Sequence, residues 1–306
     1  MHYNVTIFGV KDTTRTIVEY ILEHLGKVDL IVTISDDVLD KTDIAGYDNI
    51  DILAKKYGIT VFKTDEYSLT NKESKYFFEK NTFDIGISLG WQRLIPESIL
   101  ETFMYGVYGF HGSCAYLPFG RGRSPLNWSL VLGDKRFILN MFKYDKAADS
   151  PNVFSNRMWE ITDFDTIRTM QYKNLLCSKE QIKELLTAYR NGHIPIKTVS
   201  KDFDSWYEKR TAEDGRINFG WRTWCIYNLI RAVTHPFPGA FCYSDEHKVL
   251  IWNAVPFDMI LDFSGYKPGE VVDVFDGNII VRTIDGSLMI REYEANSPLQ
   301  RGSILY

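Results

Sequence analysis

His111 and Asp149 are the side chains in this sequence whose types and setting point to proton transfer. His111 closes the apolar run at 108–111, and the loop after it carries Pro118, Gly120 and Gly122. A second apolar run, 137–144, leads into Asp145 and Asp149. An imidazole titrates near neutral pH, and a carboxylate beside it orients the ring or balances its charge. Such a pair can take a proton from an attacking amine. Attack on a carbonyl carbon also builds an oxyanion, which needs a positioned donor. A lone buried histidine is more often satisfied by a backbone carbonyl, and a strand-end aspartate is usually a turn residue. The two together, each at the end of an apolar run, carry the argument.

Elements must bring those ends together. Short apolar runs at 5–9, 29–33, 60–63, 84–88, 106–111 and 137–144 alternate with amphipathic stretches at 13–25, 50–57, 72–79, 96–100 and 124–132. That alternation predicts a Rossmann-like α/β fold, a mostly parallel sheet with flanking helices, in which ligands gather at the C-terminal strand ends. Ser124 and Pro125 supply an N-cap and a first-turn proline that end the loop after His111. A helix at 179–189 stops at Asn191-Gly192, and another is expected over 224–233. From residue 249 the texture changes to short alternating runs at 249–253, 269–275, 278–283 and 287–293, with Asp276-Gly277 and Asp285-Gly286 at the turns. This predicts a small all-β, barrel-like domain. The expected division is residues 1–200 for the catalytic domain and 201–306 for a linker helix and the β-domain.

Composition narrows the partners. The 306 residues carry a formal net charge of -5, and residues 201–306 hold 11 Lys+Arg against 15 Asp+Glu. A domain that grips phosphate backbones leans the other way, so tRNA is disfavoured as a partner. The four cysteines, at 114, 177, 225 and 242, form no C-x-x-C pair. Neither a zinc site nor a disulfide framework is expected, and a cytoplasmic setting fits. The sequence begins without a leader pattern and has no run of membrane-spanning length, so no membrane role is expected. The turn after the first strand, Gly9-Val-Lys-Asp-Thr-Thr-Arg15, lacks phosphate-cradle spacing.

The segment 108–125 resembles the formyltransferase family, which includes methionyl-tRNA formyltransferase, glycinamide ribonucleotide formyltransferase and the nucleotide-sugar N-formyltransferases. His111, Ser113, Leu117, Pro118, Arg121, Gly122 and Pro125 fall in register with the family's N-x-H-P-S-L-L-P-x-Y-R-G-x-x-P pattern. Asp145 and Asp149 match its D-x-x-x-D loop, and 84–96, 209–216 and 227–241 are similar to further family segments. The likeness spans most of 80–255.

The resemblance implies 10-formyltetrahydrofolate as co-substrate, His111 as general base and Asp149 as its support. It places the pterin against Leu89, Gly90 and Trp91, and beside Arg121, Gly122, Asp145, Lys146 and Ala147. The implied acceptor is the amino group of a nucleotide-linked amino deoxysugar, the setting lipopolysaccharide or glycan biosynthesis. Related enzymes are often dimers, and the β-rich unit offers a surface for a homodimer. No metal is implied. At the family's catalytic asparagine, two before the histidine, this sequence has Gly109. Three readings stand: Asn140 on the next strand supplies the amide, a water or backbone N–H beside Gly109 replaces it, or the protein binds donor and sugar with little or no turnover. Methionyl-tRNA formylation is the alternative enzyme reading.

Overall fold

The computed structural model describes residues 1–40, 44, 46–145, 152–199 and 204–306. Lys146, Ala147, Asp149 and the expected boundary at residue 200 lie outside the described residues. The chain runs β1 (His2–Phe8), α1 (Asp12–Tyr20) with a π-helical turn Ile21–Leu25, β2 (Leu30–Ile34), α2 (Asp36–Leu39), α3 (Asp51–Tyr57), β3 (Thr60–Thr64), α4 (Lys72–Lys80), β4 (Thr82–Ser88), α5 (Glu97–Leu100) and β5 (Phe103–Ser113). Next come β6 (Arg121–Gly122), α6 (Pro125–Val131), β7 (Arg136–Lys143), β8 (Asn152–Glu160), α7 (Ile167–Arg190), β9 (Lys197–Thr198) and β10 (Trp206–Tyr207). Then follow α8 (Thr223–Val233), β11 (Ala240–Ser244), β12 (His247–Asp258), β13 (Val271–Phe275), β14 (Asn278–Arg282) and β15 (Ser287–Glu294).

An eight-stranded sheet has the order β3-β2-β1-β4-β5-β7-β8-β9. Its first five strands are parallel. Apolar residues on alternate positions bury both faces: Ile7, Ile31, Ile85 and Ile87 pack under Ile17, Leu53 and Leu185, while Phe8, Val32, Phe83 and Phe103 pack with Phe78 and Ile99. This is why the strands read as near-continuous hydrophobic runs.

The run 137–144, expected as a further parallel strand, is antiparallel to β5. Only the two-residue β6 and the seven-residue α6 lie between them, and Leu130 of α6 packs in one cluster with Phe137 of β7 and with Ile226 and Ile230 of α8. No crossover helix therefore returns the chain to the far end, which a parallel partner requires. β8 and β9 continue the antiparallel edge.

The C-terminal sheet is antiparallel, in the order β11-β12-β15-β14-β13. Its two edge strands are joined by the last residues: Tyr243 and Tyr306 exchange backbone hydrogen bonds of 2.9 and 3.0 Å, Leu305 N donates to Gly269 O at 2.8 Å and Val271 N to Ser303 O at 2.8 Å. Covering both edges in this way makes the unit barrel-like. One core links the two sheets, with Phe137, Ile161 and Met170 packed together with Ile230, Val249 and Ile290. Arg231, 4% exposed, fastens the joint by donating to the carbonyls of Thr162 and Asp165 at 2.8 and 3.0 Å.

Candidate active site

Register on the antiparallel pair sets the site. Gly109 lies opposite Phe142 and His111 opposite Asn140. Directly opposed residues share a sheet face, and so do residues two apart on a strand. Gly109, His111, Asn140, Phe142 and Tyr144 therefore all face one way, at the C-terminal end of β5.

His111 is 9% exposed, and its Nε2 lies 2.7 Å from the carbonyl oxygen of Gly120. A carbonyl only accepts, so Nε2 carries a proton; in the neutral ring the lone pair then belongs to Nδ1. The loop is held for this purpose from outside. Ser205 accepts from the Gly120 N–H through its hydroxyl at 2.8 Å, and its backbone carbonyl accepts from Arg121 N at 2.8 Å. Tyr207 O accepts from Arg123 N at 3.0 Å. Thus β10, parallel to β6, clamps the loop that fixes the His111 tautomer. Tyr207 in turn stacks on Trp128, ring centroids 5.9 Å apart, and burial, with Cys114 beside it, raises the pKa of its phenol.

Asn140 is 1% exposed. Its Nδ2 reaches the carbonyl oxygens of His111 and Ile138 at 3.3 and 3.4 Å. Two carbonyls can only face the amide nitrogen, which sets the orientation of the amide. Its Oδ1 is buried and has no hydrogen-bond partner among the described residues. Asn140 lines a cavity of about 260 Å³ with Leu117, Val153, Asn156 and Lys197. The amide that the sequence suggested as a donor thus has its nitrogen beside two backbone carbonyls. Larger hollows, about 700 Å³ beside Arg157 and about 640 Å³ around His2, contain none of the expected site residues.

At Gly109 a Cβ would fall inside the phenol of Tyr144, with its hydroxyl oxygen as the nearest atom. Tyr144 is half-buried and packs on Phe142 with ring centroids 5.4 Å apart.

The remaining expected residues have these surroundings. Leu89 spends its N–H on Phe8 O at 3.1 Å and its carbonyl accepts from the Thr14 hydroxyl at 2.7 Å. Gly90, at φ +83, turns the chain so that Trp91 enters the core edge-on to Tyr67, centroids 4.8 Å apart. Arg121 stacks over Trp206 at 4.2 Å and pairs with Asp204 at 3.1 Å. Gly122, at φ +102, lies against the Tyr207 backbone. Asp145 is exposed; Lys146, Ala147 and Asp149 fall outside the described residues, and with them the contact expected between Asp149 and His111. Among the described residues no group of three His, Cys, Asp or Glu is placed to hold a metal ion, and no helix is long and apolar enough to cross a membrane.

Sequence reasoning did not foresee the approach of Tyr144 to Gly109 or the hold of Ser205 and Tyr207 on the loop after His111. For Tyr144 a signal existed: a glycine in mid-strand marks a close approach by another group.

Residues 209–300 match the family described as formyl transferase, C-terminal domain. Among solved structures, HypX from Aquifex aeolicus in complex with tetrahydrofolic acid superposes with a TM-score of 0.67 at 17% identity, covering 100% of this chain and 46% of HypX. This chain thus spans about half the length of HypX. An N-formyltransferase from Helicobacter canadensis, in complex with folinic acid and dTDP-3-aminofucose, gives a TM-score of 0.66 at 18% identity, covering 94% of this chain and 98% of that one. WlaRD, a sugar 3N-formyl transferase seen with dTDP and 5-N-formyl-THF, gives 0.63 at 17% identity, with 97% and 99% covered. Residues 209–300 are thus similar to the formyl transferase C-terminal domain, and the whole chain shares its fold with these formyltransferase structures.

Proposed function

We propose that this protein transfers a formyl group from 10-formyltetrahydrofolate to the amino group of a nucleotide-linked amino deoxysugar. The observation that carries the reading is the facing pair on β5 and β7. His111 has its Nε2 proton directed at Gly120, and Asn140, which lines a cavity, has a buried acceptor oxygen with no hydrogen-bond partner among the described residues. An amine nucleophile brings N–H donors, the complement of that oxygen. The cavity is smaller than the roughly 300–1,000 Å³ of whole-ligand sites, and suits the reacting ends rather than two complete substrates.

The co-substrate supplies an activated formyl carbon on nitrogen. Asn140 Oδ1 accepts one amine N–H and directs the nitrogen lone pair at that carbon. His111 takes the proton released when the amine becomes bonded, and returns it to the departing nitrogen. Asp149, which the resemblance pairs with His111, supports the charged imidazolium. Leu89, Gly90, Trp91, Arg121, Gly122, Asp145, Lys146 and Ala147 remain the proposed surroundings of the pterin, with Leu89 and Arg121 acting through the shape of the fold they hold.

The sugar-nucleotide reading is favoured over tRNA by the acidic balance of residues 201–306, 11 Lys+Arg against 15 Asp+Glu. It also agrees with a neighbour bound to dTDP-3-aminofucose. The test is incubation of the purified protein with 10-formyltetrahydrofolate and dTDP-, UDP- and GDP-linked amino sugars, with methionyl-tRNA as a separate arm. A mass gain of one formyl group on a sugar nucleotide is expected. Product on tRNA alone, or on no amine while control enzymes turn over, overturns the reading.

A further inference from the structure

The sheet face that holds His111 carries an unusual exchange of space between two strands. Gly109 is in mid-strand, and its φ is outside the left-handed region. Its backbone therefore does not call for glycine. What forbids a side chain there is Tyr144: an added Cβ would meet the hydroxyl oxygen, Cζ and Cε1 of its ring before anything else. The phenol thus reaches across from the end of β7 and seats its oxygen over the Gly109 Cα. Its root is fixed by Tyr144 N donating to Val107 O at 2.7 Å, and its ring by packing on Phe142.

His111 is two residues further along the same strand and the same face, about 7 Å from Gly109 at a strand's rise. The phenol and the imidazole therefore share one face of the sheet, each rooted at the end of the β5–β7 pair. The Asn140 amide nitrogen has two backbone carbonyl oxygens at 3.3 and 3.4 Å, which compete with a developing oxyanion for its N–H groups.

We infer that the Tyr144 hydroxyl is the oxyanion donor of this site, a catalytic residue admitted to the centre by the missing side chain of Gly109. The inference rests on the formyl-transfer reading above. In the step itself the amine nitrogen bonds to the formyl carbon while the carbonyl π pair moves to oxygen. The Tyr144 O–H hydrogen-bonds that oxyanion and keeps its proton. His111 removes one proton from the new ammonium centre. The oxygen pair then restores C=O, the bond from carbon to the donor nitrogen breaks, and that nitrogen leaves with the proton carried by His111. Amine and N-formyl donor become formamide and N–H donor product, with no change of oxidation state.

The experiment is steady-state kinetics of Tyr144→Phe with 10-formyltetrahydrofolate and the amino sugar that the intact protein formylates. Phenylalanine keeps the ring that fills the Gly109 space, so KM for both substrates should stay within about twofold. The expected kcat falls by about a hundred- to a thousandfold, as for the loss of one oxyanion donor. A kcat within threefold of the parent, or a loss confined to KM, overturns the assignment. If the phenylalanine variant fails to fold, fluorotyrosine placed only at 144 preserves shape and changes the acidity of the hydroxyl. A kcat that moves with the number of fluorines supports the inference, and an indifferent kcat overturns it. Failure of the intact protein to formylate any amine would instead overturn the formyl-transfer reading, so the two failures are distinguishable.

Discussion

The amide nitrogen of Asn140 lies 3.3 Å from the backbone oxygen of His111, directly across the β5–β7 pair. That contact leaves the amide oxygen buried and without a hydrogen-bond partner among the described residues. Replacement by leucine keeps most of the volume and removes the acceptor. A neutral hydrogen bond contributes about 0.5–1.5 kcal/mol, so Asn140→Leu should lower kcat/KM for the amine up to about tenfold and leave donor binding unchanged. Steady-state kinetics with the amine varied, and donor affinity by titration calorimetry, check both halves.

His111→Ala removes the base and one hydrogen bond to Gly120. Loss of a general base lowers kcat by about a hundred- to ten-thousandfold, while the lost hydrogen bond costs only about 1 kcal/mol of stability. Turnover should therefore vanish into background while the melting temperature moves by a few degrees at most. Near-parental turnover would place the base on another residue.

How far these features were readable beforehand depended on whether neighbours in space were neighbours in sequence. The strands around His111 are mostly apolar, so they and the Gly- and Pro-containing loop 114–124 stood out. The first half of α7 did not, because its buried positions are only Ile167, Met170 and Ser178; in the second half, which did read as a helix, the buried Gln181 interrupts the apolar face. Gln181 is there to reach Ser155 O and Oγ at 3.1 and 3.0 Å, a long-range reason that no local pattern contains. β8 was missed for the converse reason: it is half-exposed and rich in Asn, Ser and Arg. The exchange between Gly109 and Tyr144 was hidden because it depends on antiparallel register, and an apolar run does not announce its direction.

Acid stability should trace in part to Asp165, 4% exposed at the head of α7. Burial raises its pKa, but Lys173, the Thr162 N–H and the Thr169 and Thr162 hydroxyls more than offset that, so the net shift is downward. A carboxylate with a depressed folded pKa contributes stability fully above its unfolded value near 3.9, and loses it as pH falls through the lower folded value. Asp165→Asn should cost about 2 kcal/mol at pH 7, below the ~3–5 of a fully buried broken pair because Lys173 is partly exposed. The gap from the parent should close below about pH 4. Urea unfolding at pH 7, 5 and 3 measures it, and a gap independent of pH would count against the ion pair.

The clamp from β10 should be separable from the chemistry. Gly122 holds φ +102, and a Cβ there would run into the Tyr207 carbonyl oxygen, so Gly122→Ala meets both backbone strain and a collision. Backbone strain of this kind costs about 1–3 kcal/mol, and the collision is with main chain that cannot rotate away. The strand pair should open, releasing Arg123 N from Tyr207 O and Ser205 from Gly120. Gly120's carbonyl would then no longer fix the His111 ring. The expected result is faster trypsin cleavage at Lys209 or Arg210 and a kcat lowered about tenfold or more, since loosening a catalytic group by an ångström is enough for that. Ser205→Ala, which removes only the hydroxyl that holds the Gly120 N–H, should give the same change in smaller measure. Fast cleavage with unaltered kcat would show that the clamp is structural and that His111 is held by its own loop.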